Sequence, residues 1–288
     1  TCYAGVIRLK EVIMKTFRLF VRNTLLSLGI TSSIVTVLWA IFSAQLNDLV
    51  KDCEWLFLGS IIIINIIYGV ISVLPKNSVK LKLGENLKVD VGFGDLFQKE
   101  GVVVIPVNDY FDTLVDEKVV SSNTIHGIFV KRFFSGNEKL LKRLISASLK
   151  NIVPVEVNKT RKQGNHSRYA LGTVACVPYE GKRYFLVALT KFNENYRAEV
   201  TKSEYQRVLC DLFDYIEQNS QGNRVNVPLI GGGHSGLELP KQKLLEFLLL
   251  SITLNDKLTL INGLDIVLHQ SVKDEVSLNI IESYYQTL

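Results

Sequence analysis

Two long stretches without a charged residue limit most strongly how this chain of 288 residues folds. The first runs from Asn23 to Asn47 and the second from Trp55 to Pro75. Each is long enough for a membrane-spanning helix of roughly 20 residues. The net acidic segment 48–54 between them has room only for a turn. The sequence therefore predicts a two-helix transmembrane hairpin over residues 23–76.

Two alternatives fit these apolar stretches less well. A helical hairpin buried in a soluble protein would need a large partner core to cover it. A signal peptide would be followed by a cleavage site, whereas here a second span follows the first without one. We therefore expect lipid around the hairpin.

Basic residues at both outer ends of the hairpin predict its orientation. Cytoplasmic ends of membrane helices carry an excess of Lys and Arg, so both ends of this hairpin are expected in the cytoplasm. Residues 1–22 then form a cytoplasmic N-terminal segment. The flanking basic residues are Arg8, Lys10, Lys15, Arg18 and Arg22 before the first span, and Lys76, Lys80 and Lys82 after the second.

Polar residues inside the spans predict contacts between helices. Asn65 lies among isoleucines in the second span, and a lone amide in hydrocarbon requires a hydrogen-bond partner on another helix. Gly29, Thr31, Ser32 and Ser33 form a small, polar patch in the first span. The sequence leaves open whether this patch packs closely or lines water.

The only methionine is Met14, and it suggests a hypothesis about the native start. The preceding Lys10-Glu11-Val12 can be encoded by codons that read as a bacterial ribosome-binding site, so residues 1–13 are hypothesised to lie upstream of the start. Mass spectrometry of the native N-terminus tests this, and a peptide covering residues 2–8 would refute it.

Composition excludes several classes of partner. The four cysteines are scattered without a CxxC pair, which argues against a zinc site or a disulfide scaffold and fits a reducing compartment. The net charge of +5 is modest and flanks the apolar segments. The sequence has no nucleic-acid-binding motif and no long basic run, so we expect no nucleic-acid partner. From the scattered cysteines we also expect no bound metal.

Alternating strands and helices follow Pro75 and predict an α/β domain. The strands are nearly all apolar, which indicates a mostly parallel sheet with helices on both faces. Ligands bind such sheets at the carboxyl ends of the strands, where the loops Asn108–Asp112, Thr190–Asn195 and Gly231–Leu237 are expected. The predicted strands are 79–83, 87–91, 102–107, 172–177, 183–189, 225–230 and 258–268, and the helices begin near 124, 140, 201, 240 and 272.

A glycine-rich loop is the clearest candidate binding feature of this domain. The apolar run Val225–Ile230 stops at three consecutive glycines, and a helix follows from about Pro240. Glycines let backbone N–H groups approach a phosphate closely. A tight strand–helix turn is the alternative.

The order of these features resembles the macro domain, the ADP-ribose-binding module. Gly94-Asp95-Leu96 matches the family's Gly-Asp-Ile/Leu, and Asn108 matches the last residue of its Asn-Ala-Ala-Asn strand end. Pro228, Gly233 and Gly236 are in register with its late strand and loop. The resemblance implies a three-layer α/β macro domain over residues 83–288, placed after the hairpin.

The same resemblance implies roles for individual residues. Asp95, with Leu96 beside it, is expected to accept a hydrogen bond from an adenine amino group, and Asn108 to meet the distal ribose. Gly231, Gly232, Gly233 and Gly236 are expected to wrap a diphosphate, faced by Ser121, Ser122, Asn123 and Thr124 at a helix N-terminus. His234 and Ser235 replace the family's apolar and aromatic pair and are expected near the terminal ribose or its substituent. Weaker candidates for the cleft are His126, Thr190, Lys191 and Asn193.

Several of these residues also have an ordinary structural explanation that involves no ligand. Asp95 is otherwise a turn aspartate, Ser121–Thr124 an ordinary helix cap, and His234 a solvated loop histidine. No catalytic residue and no cofactor are expected, the ligand being an ADP-ribose derivative.

Together with the hairpin, Tyr169–Thr173 and Ala188–Thr190 make the chain similar to the membrane–macro-domain effectors of type II Thoeris antiphage systems. That resemblance implies a TIR-domain partner that makes histidine–ADP-ribose, a macro domain that senses it, and a hairpin that damages the bacterial inner membrane, causing cell death or growth arrest. Two spans are too few for a pore in one chain, so a homo-oligomer is expected.

A membrane-tethered ADP-ribosyl hydrolase is the alternative. Hydrolytic macro domains position water with the Asn-Ala-Ala-Asn strand end and a glycine-rich loop. Here Ile105 replaces the first Asn and Ser121–Thr124 replace that loop, so the machinery looks incomplete.

Overall fold

A computed structural model describes residues 2–84, 87–233 and 236–285, with side chains described from residue 13 onward. The described residues form two compact units, one of residues 2–77 and 277–285, the other of Ser78–Val276. The helices are α1 Cys2–Ile41, α2 Ser43–Val50, α3 Glu54–Ser72, α4 Ile125–Phe134, α5 Glu138–Ser148, α6 Lys202–Asn219, α7 Lys241–Thr253 and α8 Leu278–Tyr285. The strands are β1 Ser78–Leu83, β2 Leu87–Phe93, β3 Val102–Asn108, β4 Glu156–Val157, β5 Ser167–Arg168, β6 Val174–Tyr179, β7 Lys182–Phe192, β8 Ala198–Glu199, β9 Val225–Pro228 and β10 Leu264–Leu268.

The first unit contains the two long apolar helices that the sequence predicts. Among the described residues, Ile13–Ile41 of α1 and Glu54–Ser72 of α3 are long and apolar enough to cross a membrane. Their aliphatic side chains point outward, with Ile30 63% and Ile64 60% exposed. A helix of a soluble core would bury such side chains.

The connection between these helices differs from the expected turn. Within the predicted turn, residues 48–50 belong to α2, Glu54 begins α3, and only residues 51–53 lie outside helices. The apolar residues Leu46, Leu49 and Val50 have helical spacing and continue the helical pattern past the last uncharged residue. The prediction of a bare turn over 48–54 was therefore wrong.

Polar contacts join the helices inside this unit, as Asn65 predicts. Asn65 is buried, donates its amide to Thr31 Oγ1 over 3.1 Å, and accepts from the Ser27 hydroxyl. Of the predicted small, polar patch, only Thr31 turns toward α3, whereas Gly29, Ser32 and Ser33 are exposed.

Gly69 lies at a close contact between the two helices. A Cβ atom at Gly69 would lie 1.9 Å from Thr24 Oγ1 and 3.0 Å from the Phe20 ring. Gly59 lies on the same helix with no described atom within 4 Å of its Cβ position. The two glycines therefore form a matched pair in which only one is required by packing.

The second unit is a sheet with the strand order β1-β2-β10-β9-β3-β7-β6, with β8 added to β7. β2, β10, β9, β3 and β7 run parallel, while β1 and β6 are antiparallel to their neighbours. The residues Val102–Ile105 and Tyr184–Leu189 are buried throughout. This burial on both faces matches the apolar, non-alternating sequence of these strands.

Helices cover both faces of this sheet. Ile105 and Leu186 belong to a buried cluster with Phe129 of α4 and Leu141 of α5. On the opposite face Phe185 meets Tyr215 of α6 edge to face, with 5.1 Å between the ring centroids. The predicted fold class, a three-layer α/β domain, is confirmed.

Three predicted elements end differently in the structure. β9 stops at Pro228, because proline has no N–H for the next ladder bond. The strand predicted over 258–268 begins only at Leu264, since Gly263 adopts a φ of 75° and donates to the Leu260 carbonyl in a turn. The helix predicted over 272–285 is a short 3-10 turn at Gln270–Val272 followed by α8.

The two units also divide the chain differently from the predicted boundaries of 23–76 and 83–288. The first unit, which contains the hairpin, includes residues 2–22 of α1 and extends to residue 77. It also includes the described residues from 277 onward. The sequence does not reveal that α8 belongs to the first unit, because α8 has the same apolar character as a helix of the sheet domain.

We predict that Gly69→Leu separates α1 from α3, whereas Gly59→Leu does not. Overpacking of a close contact costs about 1–3 kcal/mol, so the thermal midpoint of the full chain in detergent should fall for the first variant only. Equal midpoints for the two variants would contradict the packing described for Gly69.

Candidate functional site

The carboxyl ends of the parallel strands meet at one edge of the sheet. Gly94 N–H donates to the Leu268 carbonyl over 2.9 Å, and Asp109 N–H donates to the Thr190 carbonyl over 2.9 Å. These bonds fix neighbouring strand ends side by side. The three predicted loops, after β3, β7 and β9, and the segment after β2 therefore share this edge, which is where ligands bind to such sheets.

Asp95 follows β2 and keeps an ionised carboxylate. Its Oδ1 accepts from Phe97 N–H over 2.9 Å, and its Oδ2 lies 3.0 Å from Nη1 of Arg132 on α4. Partial burial alone would raise the pKa of Asp95, but the bonds from Phe97 and Arg132 hold it below its ordinary value. Leu96 is buried in the core, so it offers only its backbone to this site.

Arg132 adds a flat, cationic surface beside this carboxylate. Its guanidinium carbon lies 5.6 Å from the Phe97 ring centroid and 5.7 Å from that of Phe133. A carboxylate acceptor next to planar side chains suits a base with an exocyclic amino group.

Asn108 supports the loop after β3 from within. Its amide donates to Asp112 Oδ2 over 3.1 Å, and its carbonyl oxygen accepts from the N–H groups of Tyr110 and Asp112. The side chain is 4% exposed. The structure thus places Asn108 behind the loop surface, where it sets the shape of residues 108–112.

A buried ion pair holds the same loop. Asp112 is fully buried and pairs with Arg161, with Nη1–Oδ1 and Nη2–Oδ2 distances of 2.8 and 2.7 Å. Asn165 N–H donates to the same carboxylate over 2.7 Å. The Arg161 guanidinium also lies over the Tyr110 ring, 4.0 Å from its centroid. A buried carboxylate requires this many partners to remain charged.

A second buried carboxylate, Asp109, ties the loop to β7. Its Oδ1 accepts from Phe192 N–H over 3.1 Å, and its Oδ2 pairs with Arg168 Nε. Burial raises the pKa of Asp109, and the bonds from Arg168 and Phe192 oppose that rise. The loop after β3 is therefore fixed to β7 and to Arg168 of β5.

Ser121–Thr124 directly precede α4, and the Glu117 carboxylate already accepts from the Ser121 hydroxyl and the Ser122 N–H. Thr124 is the N-cap and accepts from Gly127 N–H over 3.0 Å. The Ser121 hydroxyl lies 2.8 Å from Glu117 Oε2 and 2.8 Å from Asn123 Oδ1, and Ser122 N–H lies 3.2 Å from Glu117 Oε1. Bonds from Ser122 and Ser121 hold the pKa of Glu117 below its ordinary value. An anion thus sits at the position predicted for a diphosphate oxygen.

Structural constraints differ among the glycine positions in the loop after β9. Gly231 and Gly236 adopt φ values of 80° and 73°, which disfavour any other residue. A Cβ at Gly232 would lie 3.1 Å from the Leu229 carbonyl. Gly233 has neither constraint, because its φ is not positive and no described atom lies within 4 Å of its Cβ position.

His234 and Ser235, predicted to select the ligand, lie outside the described residues. Their role stays a prediction. The described part of the loop is held by Tyr205, whose hydroxyl donates to the Ile230 carbonyl over 2.9 Å, and by Lys241, whose ammonium donates to the Gly232 carbonyl.

Of the weaker candidates, His126 and Thr190 are buried, and Lys191 and Asn193 have side-chain partners within the domain. Burial lowers the pKa of His126 to about 4, so its imidazole is neutral at pH 7. Thr190 is buried at the site edge of β7. Lys191 pairs with Glu204, and Asn193 donates to Glu199 over 2.7 Å.

Sequence reasoning missed Arg132, Glu117, Arg161 and Lys241. Arg132 and Glu117 carry no motif, and their partners are distant or exposed. Lys241 had one usable signal, since a cation in the first turn of a helix opposes the helix dipole and calls for a specific partner. Among the described residues, no group of three His, Cys, Asp or Glu side chains is arranged to hold a metal ion.

Comparison with known proteins agrees with this arrangement. A family model described as "Thoeris protein ThsA, Macro domain" matches residues 89–269. "Thoeris protein ThsA" of Bacillus amyloliquefaciens (strain Y2) is 27% identical over 236 residues, covering 78% of this chain and 74% of that protein. The solved structure "Oceanobacillus iheyensis macrodomain with ADP" has a TM-score of 0.51 at 11% identity, covering 73% of this chain and 98% of its own. At 11% identity, the similarity to this solved structure shows the fold alone.

We predict that Arg161→Met destabilises the chain by about 3–5 kcal/mol, because it leaves the buried Asp112 carboxylate unpaired. Denaturant unfolding of the full chain in detergent measures the loss. Arg143→Met is the control, since Arg143 is exposed on α5. A loss for Arg161→Met as small as that of the control would show that the ion pair does not hold the loop.

Proposed function

Because the chain belongs to the Thoeris protein ThsA macro-domain family, we propose that it is an antiphage membrane effector. Its macro domain binds an ADP-ribose-derived signal nucleotide, histidine–ADP-ribose, at the carboxyl edge of the sheet. Binding then drives the hairpin to disrupt the membrane. The signal comes from a TIR-domain partner that acts through its product.

Gly233 is the observation that carries the ligand site. Fold geometry explains the glycines at 231, 232 and 236, but it does not require one at 233. With no side chain at this position and no described atom within 4 Å of where a Cβ would lie, a ligand can approach the backbone closely. Diphosphates are bound in this way, by backbone N–H groups of glycine loops.

The charges around the loop support an anionic ligand. Lys241 already contacts the Gly232 carbonyl, so its ammonium lies next to the proposed diphosphate position. Glu117 takes the donors at the N-terminus of α4, where a phosphate oxygen is expected. In this proposal the diphosphate replaces Glu117 at Ser121 and Ser122.

The other end of the site supports an adenine ring. The ionised Asp95 carboxylate accepts from the exocyclic amino group, and Arg132 shifts from Asp95 to lie against the base. Asn108 keeps its loop in shape beneath the distal ribose instead of binding it with the side-chain amide, since that amide is engaged by Asp112.

The hairpin supports a membrane location. Its two long helices expose aliphatic side chains, and Asn65 of the second is buried against Thr31 and Ser27 of the first. We place the protein in the bacterial inner membrane with the macro domain in the cytoplasm. One hairpin encloses no channel, so the membrane-active form is a homo-oligomer.

No observation favours the alternative, a membrane-tethered ADP-ribosyl hydrolase. Ile105 occupies the position of the family's first Asn and is buried in the core. Neither it nor the engaged Asn108 amide is available to orient a water molecule.

We predict that calorimetry of the full chain in detergent detects histidine–ADP-ribose binding, and that Asp95→Ala and Gly233→Glu each weaken it at least about tenfold, or 1.4 kcal/mol. The first variant removes the acceptor for adenine, and the second places a carboxylate at the position where the diphosphate is proposed to approach the backbone. Asp256→Ala and Ile261→Glu are matched controls at exposed positions. Affinities that fall equally in variants and controls, or in none, would refute the site.

We also predict that Glu117→Gln strengthens binding by about threefold, because it removes a like charge from the proposed phosphate position. Glu138→Gln is the control, since Glu138 accepts from Gly136 N–H at the start of another helix, α5. The same titration measures both. Weaker binding by the Glu117 variant would mean that this carboxylate assists the ligand instead of competing with it.

A further inference from the structure

We propose that α8 is the coupling helix of this protein: it clamps the carboxyl end of α3 through Asn279 and transmits ligand binding from the sheet domain to the hairpin. The clamp rests on the structure alone, whereas the coupling rests on the proposed function.

Asn279 caps the carboxyl end of α3 and binds the backbone of the segment that follows it. Its amide donates to the carbonyls of Ser72 and Leu74 over 3.0 and 2.9 Å, and its own carbonyl oxygen accepts from Lys76 N–H over 3.3 Å. The last carbonyls of a helix have no partner within it. Here a residue 207 positions away supplies the cap, and its side chain is 4% exposed.

An ion pair reinforces this clamp. Glu282 of α8 pairs with the Lys76 ammonium. Asn279 and Glu282 are three residues apart, so they lie on the same face of α8. That face therefore holds residues 72–76 through both neutral and charged contacts.

The chain path makes α8 a suitable transmitter. The sheet domain is inserted between Asn77 and Ser277, so both of its ends join the hairpin unit. β10 ends at Leu268, whose carbonyl accepts from Gly94 beside the proposed adenine acceptor Asp95. Residues 269–277 alone separate that strand end from α8. A displacement at Gly94 and Leu268 thus has a short covalent path to Asn279.

The hydrogen bonds of Asn279 also define two discrete states of the carboxyl end of α3, capped and uncapped. The amide of Asn279 either caps α3 or does not, and a ligand that favours one arrangement of β10 shifts that equilibrium by its differential affinity. Asn279 acts as a positioning residue, because it lies outside the proposed ligand loops.

Hydrogen exchange of the full chain in lipid nanodiscs tests the clamp. Asn279→Leu is expected to speed exchange of the Lys76 amide at least about tenfold, and Glu282→Gln to speed it less. Asn262→Leu is the control, because Asn262 also donates its amide to a backbone carbonyl, that of Gly222. Unchanged exchange at Lys76 in Asn279→Leu overturns the clamp.

Histidine–ADP-ribose then tests the coupling in the same samples. Its addition to the wild type is expected to change Lys76 exchange at least about threefold. In Asn279→Leu that response is lost while the affinity stays within about twofold of the wild type. Binding without any change at Lys76 overturns the coupling and leaves the ligand site intact. Absence of binding overturns the proposed function, and the coupling with it, while the clamp is judged by the first measurement.

Discussion

The parallel ladder of β2, β10, β9, β3 and β7 is the constraint on which the site depends. It brings loops from distant parts of the sequence to one edge and holds them there by bonds between strand ends. The buried carboxylates of Asp109 and Asp112 then fix the loop after β3 through Arg168 and Arg161. A rigid edge of this kind lets a ligand be recognised largely by backbone groups, with few charged side chains in direct contact.

Charged side chains of the domain already pair with the groups that are proposed to bind the ligand. Arg132 occupies the Asp95 carboxylate, and Glu117 occupies the donors of Ser121 and Ser122. In the complex proposed above, the adenine amino group takes the place of Arg132 at Asp95, and the diphosphate takes the place of Glu117 at Ser121 and Ser122. Under that proposal, a ligand that satisfies only one end must displace an internal pair with fewer contacts, which favours a ligand that carries both the base and the diphosphate.

Local signals made much of this predictable. Apolar runs revealed the strands, Thr124 and Thr201 marked helix starts, and the glycines marked the loop after β9. The contacts that organise the site were hidden, because Asp95–Arg132 and Asp112–Arg161 join residues 37 and 49 positions apart. The Asn279 cap joins residues 207 positions apart. The false strand over 258–263 arose because Leu258, Leu260 and Ile261 resemble a strand until Gly263 forces a turn.

In the proposed function, one chain converts nucleotide binding into membrane damage. Dye release from liposomes containing the full chain tests this conversion most directly. We expect histidine–ADP-ribose to raise the release rate at least about tenfold over the rate without ligand, as a coupling of roughly 1.4 kcal/mol requires. Equal release with and without the nucleotide, in a preparation that binds it, would show that binding does not drive membrane damage.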